Sequence, residues 1–390
     1  MPSPNGYPMS RRTFSRLLFG FGSNSISNQV YSMEVFTHFD IHLDKDIESF
    51  QYKVFSQFKK LSDSSDDELL SFNWLSKLLD AFLACHQDFE DFLLKHTLAF
   101  SKPPLDYLVN EFFEKSIKAL DICNAVCDGI EKIRRSHKYL QIVSDALNSK
   151  HKKLITKGQF RRARKALTDL NNVTLENNNA AQWFFLGRFK SFGHSSKRKD
   201  LNRSISRSIS SNSWSTSKQL QSMVNGLILP RASEVTATRG LVNVIFTMSF
   251  VQMFVMWALA ASIDCQDRGS ITNFTIPNNY LWGSPLSVIY TRIINESKKC
   301  DRKNNVGLLK EIYQMEKTVH FVTYLVDSSH QFPLTEEHKE KVRHGANEVS
   351  IVSDAHGNWL YPFECQVRQV FHKIISCRLE GLENLCRTSS

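Results

Sequence analysis

Residues 241–263 (LVNVIFTMSFVQMFVMWALAASI) run for 23 positions without one ionisable side chain, and any fold this chain adopts must find a solvent for them. About 20 apolar residues are enough to cross a bilayer as a helix, so the segment passes the length and charge tests for a membrane span. Asn243, Thr247, Ser249 and Gln252 in its first half count against that reading, because a lone helix in lipid leaves polar side chains without partners. A segment that is apolar on every face fits the innermost helix of a large bundle equally well. Leu241, Phe246, Phe250, Phe254, Trp257 and Ile263 are therefore residues either of a membrane span or of a core helix, and the sequence leaves both readings open.

The rest of the chain reads as folded and helical. Forty-two per cent of its 390 residues are hydrophobic, and 28 Phe against only 15 Gly and 10 Pro supply an aromatic-rich core. Helical spacing begins at Ile47 and continues through Phe50, Val54, Phe58 and Leu61 to an acidic break at residues 63–68. A second helix carries Leu75, Leu78, Leu79, Phe82, Phe89, Phe92 and Leu93. Pro103 and Pro104 are placed to open a third, whose stripe Leu105, Val109, Phe112, Ser116, Ala119, Cys123, Val126, Ile130 and Ile133 alternates steps of four and three. That spacing predicts a helix of about thirty residues. An amphipathic helix follows from Gly158, with Arg161, Arg162, Arg164 and Lys165 on a solvated face, and a short one runs from Trp214 to the stop at Pro230.

After the apolar segment, residues 264–285 read as a loop. Two helices then close the chain, one with the seam Leu308, Ile312, Met315, Val319, Val322 and Val326, the other with Phe363, Val367, Val370, Phe371 and Ile374, ending near Gly381. The expected fold is all-α: an elongated antiparallel helical bundle with a central hydrophobic helix and disordered basic segments. Its expected parts are a basic tail over 1–33, an N-terminal helical part over 34–186, a Ser-rich basic linker over 187–213 and a C-terminal helical part over 214–390.

Most of the formal charge of +10 is local: between Arg188 and Lys218, eight basic residues stand against one acid, Asp200, a net of +7. Lys197, Arg198, Lys199, Arg203 and Arg207 are the candidate contacts to an anionic surface. Ser206 and Ser210 follow Arg203 and Arg207 at a spacing that basophilic kinases favour, and phosphate there would cancel positive charge. Little aromatic interleaving and no recognition-helix or RNA-binding signature accompany these residues, which argues against nucleic acid as a partner.

Catalytic signatures are absent. The chain has no GxGxxG, GxxxxGK[ST], HExxH or GxSxG. Cys123 and Cys127 stand one helical turn apart but lack two further ligands; they and the other six cysteines, none in a CxxC pair, read as reduced and largely buried thiols. His38 and His42 lack matching carboxylates, and Asp63, Asp66, Asp67 and Glu68 fit a helix N-terminus better than a calcium loop. No cofactor, metal or small-molecule substrate is expected, and the chain reads as a non-enzyme.

Several long motifs, in order, carry a resemblance: the stretches at 101–134 (SKPPLDYLVNEFFEKSIKALDICNAVCDGIEKIR), 159–170 (QFRRARKALTDL), 229–241 (LPRASEVTATRGL), 256–269 (MWALAASIDCQDRG), 296–312 (ESKKCDRKNNVGLLKEI) and 331–343 (QFPLTEEHKEKVR). Together they resemble the plant ROH family, related to the BYPASS proteins. Cys300 and Cys386 stand where the family pattern has a basic residue and a glycine. The resemblance implies a helical protein without enzymatic activity. Some members bind the exocyst subunit of the seventy-kilodalton class in polarised secretion, which places them at the cytosolic face of the cell periphery. BYPASS relatives imply an alternative, a single-pass membrane protein controlling a root-to-shoot developmental signal. In that case Arg231 and Arg239 would hold the N-terminal half inside, and Asn295-Glu-Ser297 would be open to glycosylation.

Overall fold

The computed structural model describes residues 30–147, 156–176, 216–263, 272–299, 307–328 and 334–388. Among them are eleven helices and no strand: α1 (Val30–Ser62), α2 (Phe72–Lys95), α3 (Thr97–Phe100), α4 (Leu105–Leu147), α5 (Lys157–Glu176), α6 (Thr216–Asn225), α7 (Ala232–Ala237), α8 (Leu241–Ser262), α9 (Gly283–Lys299), α10 (Lys310–Asp327) and α11 (Glu336–Thr388). The chain divides into two units, Met1–Lys45 and Asp46–Ser390. In the first, the described residues form the start of α1. The second holds every other helix, and its core is drawn from both sides of the basic stretch.

Specific pairs fix how these helices run. Phe50 meets Phe89 and Phe92, and Lys53 pairs with Asp88 while Asp46 pairs with Lys95, so α1 and α2 are antiparallel. Gln51 touches Thr247 and Phe58 touches Phe254, so α1 and α8 run parallel. Along α11, Gln366 bonds Ser76 and Asp80 while Lys373 reaches Gln87 and Glu90 of α2, a parallel pair. Against α4 the order reverses: Ser353 meets His137, Glu364 meets Arg134 and Arg378 meets Glu114. Burial alone would raise the Glu364 carboxyl, but hydrogen bonds from Arg368 and Arg134 offset it and leave it below the ordinary glutamate range.

The predicted apolar stripes supply most of the core, although Ile47, Leu93 and Phe371 of those stripes are only half-buried. All nine stripe residues of α4 are buried, as are the six seam residues from Leu308 to Val326. Helix α4 continues to Leu147, 43 residues in all, because buried Leu140, Val143 and Ala146 extend the stripe past the expected end. The N-terminus of α2 is held twice: Ser71 Oγ accepts from the Trp74 N–H, and the Glu311 carboxylate of α10 accepts from the Phe72 N–H at 3.0 Å. A carboxylate at a helix N-terminus both satisfies an otherwise unmade N–H and complements the helix dipole.

Three boundaries differ from the sequence expectation. Helix α1 starts at Val30, inside the expected tail. Residues 283–299, whose start falls in the expected loop, form α9; Pro285 is buried in its first turn, where a missing N–H costs nothing, and Arg292 locks the helix to the turn after α1 through Ser62 O, Ser64 O and Asp66. Helix α11 runs 53 residues through Pro362 and past Gly381. Gly381 is not a stop: a Cβ there would lie 2.1 Å from Phe113 Cζ, so glycine admits the ring of α4.

Helix α8 is the centre. Gly240, at φ +81°, makes the left-handed turn that opens it. Leu241, Phe246, Phe250, Phe254, Trp257 and Ile263 are all buried, beneath a cluster of aromatic rings that includes Phe58, Phe274, Trp282 and Tyr290. The polar residues that argued against lipid find protein partners. Asn243 accepts from the Tyr280 hydroxyl, Thr247 bonds the Gln51 amide, and Ser249 bonds Ile245 O. Gln252 Oε1 alone of this group is buried without a partner. The helix end is closed by the Leu308 and Leu309 N–H groups on Ala261 O and Ser262 O.

Candidate functional site

The basic contacts Lys197, Arg198, Lys199, Arg203 and Arg207, and the phosphorylation candidates Ser206 and Ser210, lie outside the described residues. Among the described residues, one helix, Leu241–Ser262, is long and apolar enough to cross a membrane, and 94% of its most apolar window is buried inside the protein. Its length and composition are a weak pointer to a membrane. In this fold its faces are largely covered by protein, the surroundings of a bundle-core helix.

Other sequence candidates are engaged in ordinary surface chemistry. On α5, Arg161, Arg162, Arg164 and Lys165 are exposed as expected, with Arg164 donating to Val326 O. The acidic run lies in the turn between α1 and α2 and not at the N-terminus of a helix, as its spacing suggested, since α2 is capped by Ser71; there Asp63 pairs with Lys59, Glu68 with Lys77 and Asp66 with Arg292. Cys123 is buried with its sulfur 3.8 Å from Met256 Sδ, and Cys127 is half-buried.

Two features escaped the sequence reading. The first lies on α10, opposite its buried seam. Tyr313 (61% exposed), Phe321 (40%) and Tyr324 (70%) stand in solvent, with Lys317 and His320 exposed between them. Tyr313, Lys317, His320 and Tyr324 follow steps of four, three and four, so they share one face. Aromatic side chains with a polar tip are the groups that most often anchor protein interfaces. The signal was in the sequence, on the face of the helix not needed for the core.

The second is a cluster between α2 and α11. His86 and Glu90 are one helical turn apart on α2, and Cys377 comes from α11; an imidazole nitrogen, a carboxylate oxygen and the sulfur lie within 4.8 Å of one another. His86 Nδ1 is 3.8 Å from Glu90 Oε1, beyond hydrogen-bonding reach, and both atoms are buried without a partner. Phe82 sits edge-on to the His86 ring at 5.4 Å, and Lys373 pairs with the other Glu90 oxygen. Burial, helped by the nearby Lys373 ammonium, pushes His86 down to about 3, so it is neutral. Burial, the Glu90 charge and a hydrogen bond with the Glu90 side chain push the Cys377 thiol up. A cavity of about 40 Å³ adjoins the cluster, lined by Glu90 and Cys377 among others. Of this triad, only the i, i+4 spacing of His86 and Glu90 was legible before folding.

The long motifs and the all-helical architecture agree with what the chain is similar to. The sequence profile described as "Protein ROH1-like" matches residues 13–385. Protein ROH1D of Arabidopsis thaliana is 43% identical over 387 residues, covering 96% of this chain and 97% of its own. Protein ROH1A of the same plant is 32% identical over 383 residues, covering 87% and 90%. No solved structure was found to match. With a matched profile that takes in nearly every helix described above, the chain belongs to the ROH1-like family.

Proposed function

We propose that this protein is a non-enzymatic adaptor of polarised secretion, which binds an exocyst subunit of the seventy-kilodalton class through the exposed face of α10. The observation that carries this reading is the aromatic stripe Tyr313, Phe321 and Tyr324. The fold already has its seam on the opposite side of the same helix; Phe321 lies edge-on to His344 of α11, while Tyr313 and Tyr324 stand largely in water with no ring partner among the described residues to hold them there. Family resemblance supplies the partner class, and the face supplies the chemistry: aromatic anchors flanked by Lys317 and His320 suit a helical surface with acidic groups at its rim.

Membrane contact is the second half of the proposal. The segment bearing Lys197, Arg198, Lys199, Arg203 and Arg207 touches anionic lipid at the cytosolic face of the cell periphery, and phosphate on Ser206 and Ser210 weakens that contact. Nucleic acid, cofactors and small-molecule substrates have no part in this reading. The alternative, a single-pass protein in a developmental signal, rests on the length and composition of α8. It requires that helix to leave Gln51 and Trp282, its polar partners in the bundle.

The test is co-purification from plant tissue under conditions that preserve the exocyst, followed by direct binding to the purified subunit. Each of Tyr313→Ala and Tyr324→Ala is expected to cost about 1–2 kcal/mol of binding, so the double variant loses about thirtyfold or more. Its unfolding free energy should stay within about 0.5 kcal/mol of the parent, as exposed substitutions do. Co-purification without any exocyst subunit, or binding unchanged in the double variant, would overturn the assignment.

A further inference from the structure

We propose that His86, Glu90 and Cys377 form a binding site for a divalent transition-metal ion of the zinc class, its coordination completed by water from the adjoining cavity. Two orphaned atoms point to it. His86 Nδ1 and Glu90 Oε1 face each other at 3.8 Å, buried and unbonded. That separation is too long for a hydrogen bond and suits two ligands of one tetrahedral ion, whose bonds of about 2.0–2.3 Å place neighbouring donors roughly 3.3–3.8 Å apart. Cys377 Sγ falls within the same 4.8 Å group and supplies the third donor.

The donor set selects the metal. One imidazole, one thiolate and one carboxylate are what zinc and its cobalt substitute take, whereas calcium and magnesium demand oxygen throughout. The surroundings are those of a supported site. Lys373, one turn before Cys377 on α11, holds the second Glu90 oxygen and also bonds Gln87; Glu90 is thereby oriented with Oε1 turned inward. Phe82 fixes the plane of the imidazole. Three protein ligands leave a fourth position, and the cavity of about 40 Å³ beside Glu90 and Cys377 has room for water, with Glu380 also on its wall. On binding, the Cys377 S–H bond breaks, its proton passes to solvent, and the thiolate sulfur donates its electron pair to the metal.

Full-length protein stripped with a chelator and titrated with Zn²⁺ alone is expected to take up one ion per chain with a rise in melting temperature. Co²⁺ in its place should give tetrahedral visible bands and a thiolate-to-cobalt charge-transfer band in the near ultraviolet. Cys377→Ser should abolish that band, and both Cys377→Ser and His86→Gln should weaken zinc binding by at least about tenfold. Cys123→Ser, at a buried cysteine elsewhere, should change nothing. Absence of stoichiometric binding by the stripped parent overturns the proposal, as does a cobalt spectrum without a thiolate band. Binding that survives both ligand substitutions overturns it too, since the ion then sits elsewhere. Should either variant fail to fold, the parent's cobalt spectrum decides alone.

Discussion

Trp257→Ala is expected to destabilise the protein by about 3–5 kcal/mol, the range for deleting a large buried aromatic. The side chain is fully buried. Its ring lies 5.1 Å from that of Tyr290, 5.3 Å from Phe274 and 5.6 Å from Phe254, and its Nε1 donates to Thr272 O at 3.0 Å. Alanine removes the apolar surface, opens a cavity that rigid neighbouring rings cannot fill, and strands the Thr272 carbonyl. Urea unfolding followed by circular dichroism should show the midpoint falling with little change in slope. Trp359→Ala is the matched comparison: at 40% exposure it should cost less than about 1 kcal/mol. Equal losses at the two tryptophans would mean that α8 is not the centre of the core.

Gln51→Leu is expected to cost about 1–3 kcal/mol through polar groups it leaves behind. The Gln51 amide donates to Thr247 Oγ1 at 2.8 Å, and its carbonyl accepts from Trp282 Nε1 at 2.8 Å. These three side chains come from α1, α8 and the segment before α9, so the network exists only if α8 sits inside the bundle. A double-mutant cycle with Thr247→Val should return a coupling of about 1–2 kcal/mol. Carbonate extraction of microsomes should likewise release the full-length protein, with no glycosidase-sensitive shift at Asn295, which stands on α9 beside Ser297. Zero coupling together with retention in the pellet would establish the membrane-span reading and end the single-bundle one.

Much of the bundle was legible because burial repeats with the helical period. Every position of the Leu105–Ile133 stripe and of the Leu308–Val326 seam is buried as its spacing required. Where reading failed, composition misled. The start of α9 looked like a loop because Asn and Pro crowd its approach, yet Pro285 occupies the first turn, and Leu286, Ile289 and Ile293 bury one short face. Gly381 looked like a helix end, whereas its role is to admit Phe113. The exposed stripe from Tyr313 to Tyr324 lies on the face of α10 that burial does not use, so the helical period of the core carries no signal for it.

Periodicity and charge balance thus determined, from the sequence alone, an all-helical chain with one segment that must be kept from water. What the sequence did not determine is which solvent receives that segment, because hydrocarbon and a packed protein core are both apolar and the transfer from water is favourable to either. In the tertiary structure that segment is solvated by protein: Gln51, Tyr280 and Trp282 arrive from distant positions to meet Thr247 and Asn243, supplying hydrogen bonds that lipid does not offer. The same is true of the candidate metal triad. His86 and Glu90 are one turn apart in any helix, but Cys377 joins them only when α11 lies parallel to α2.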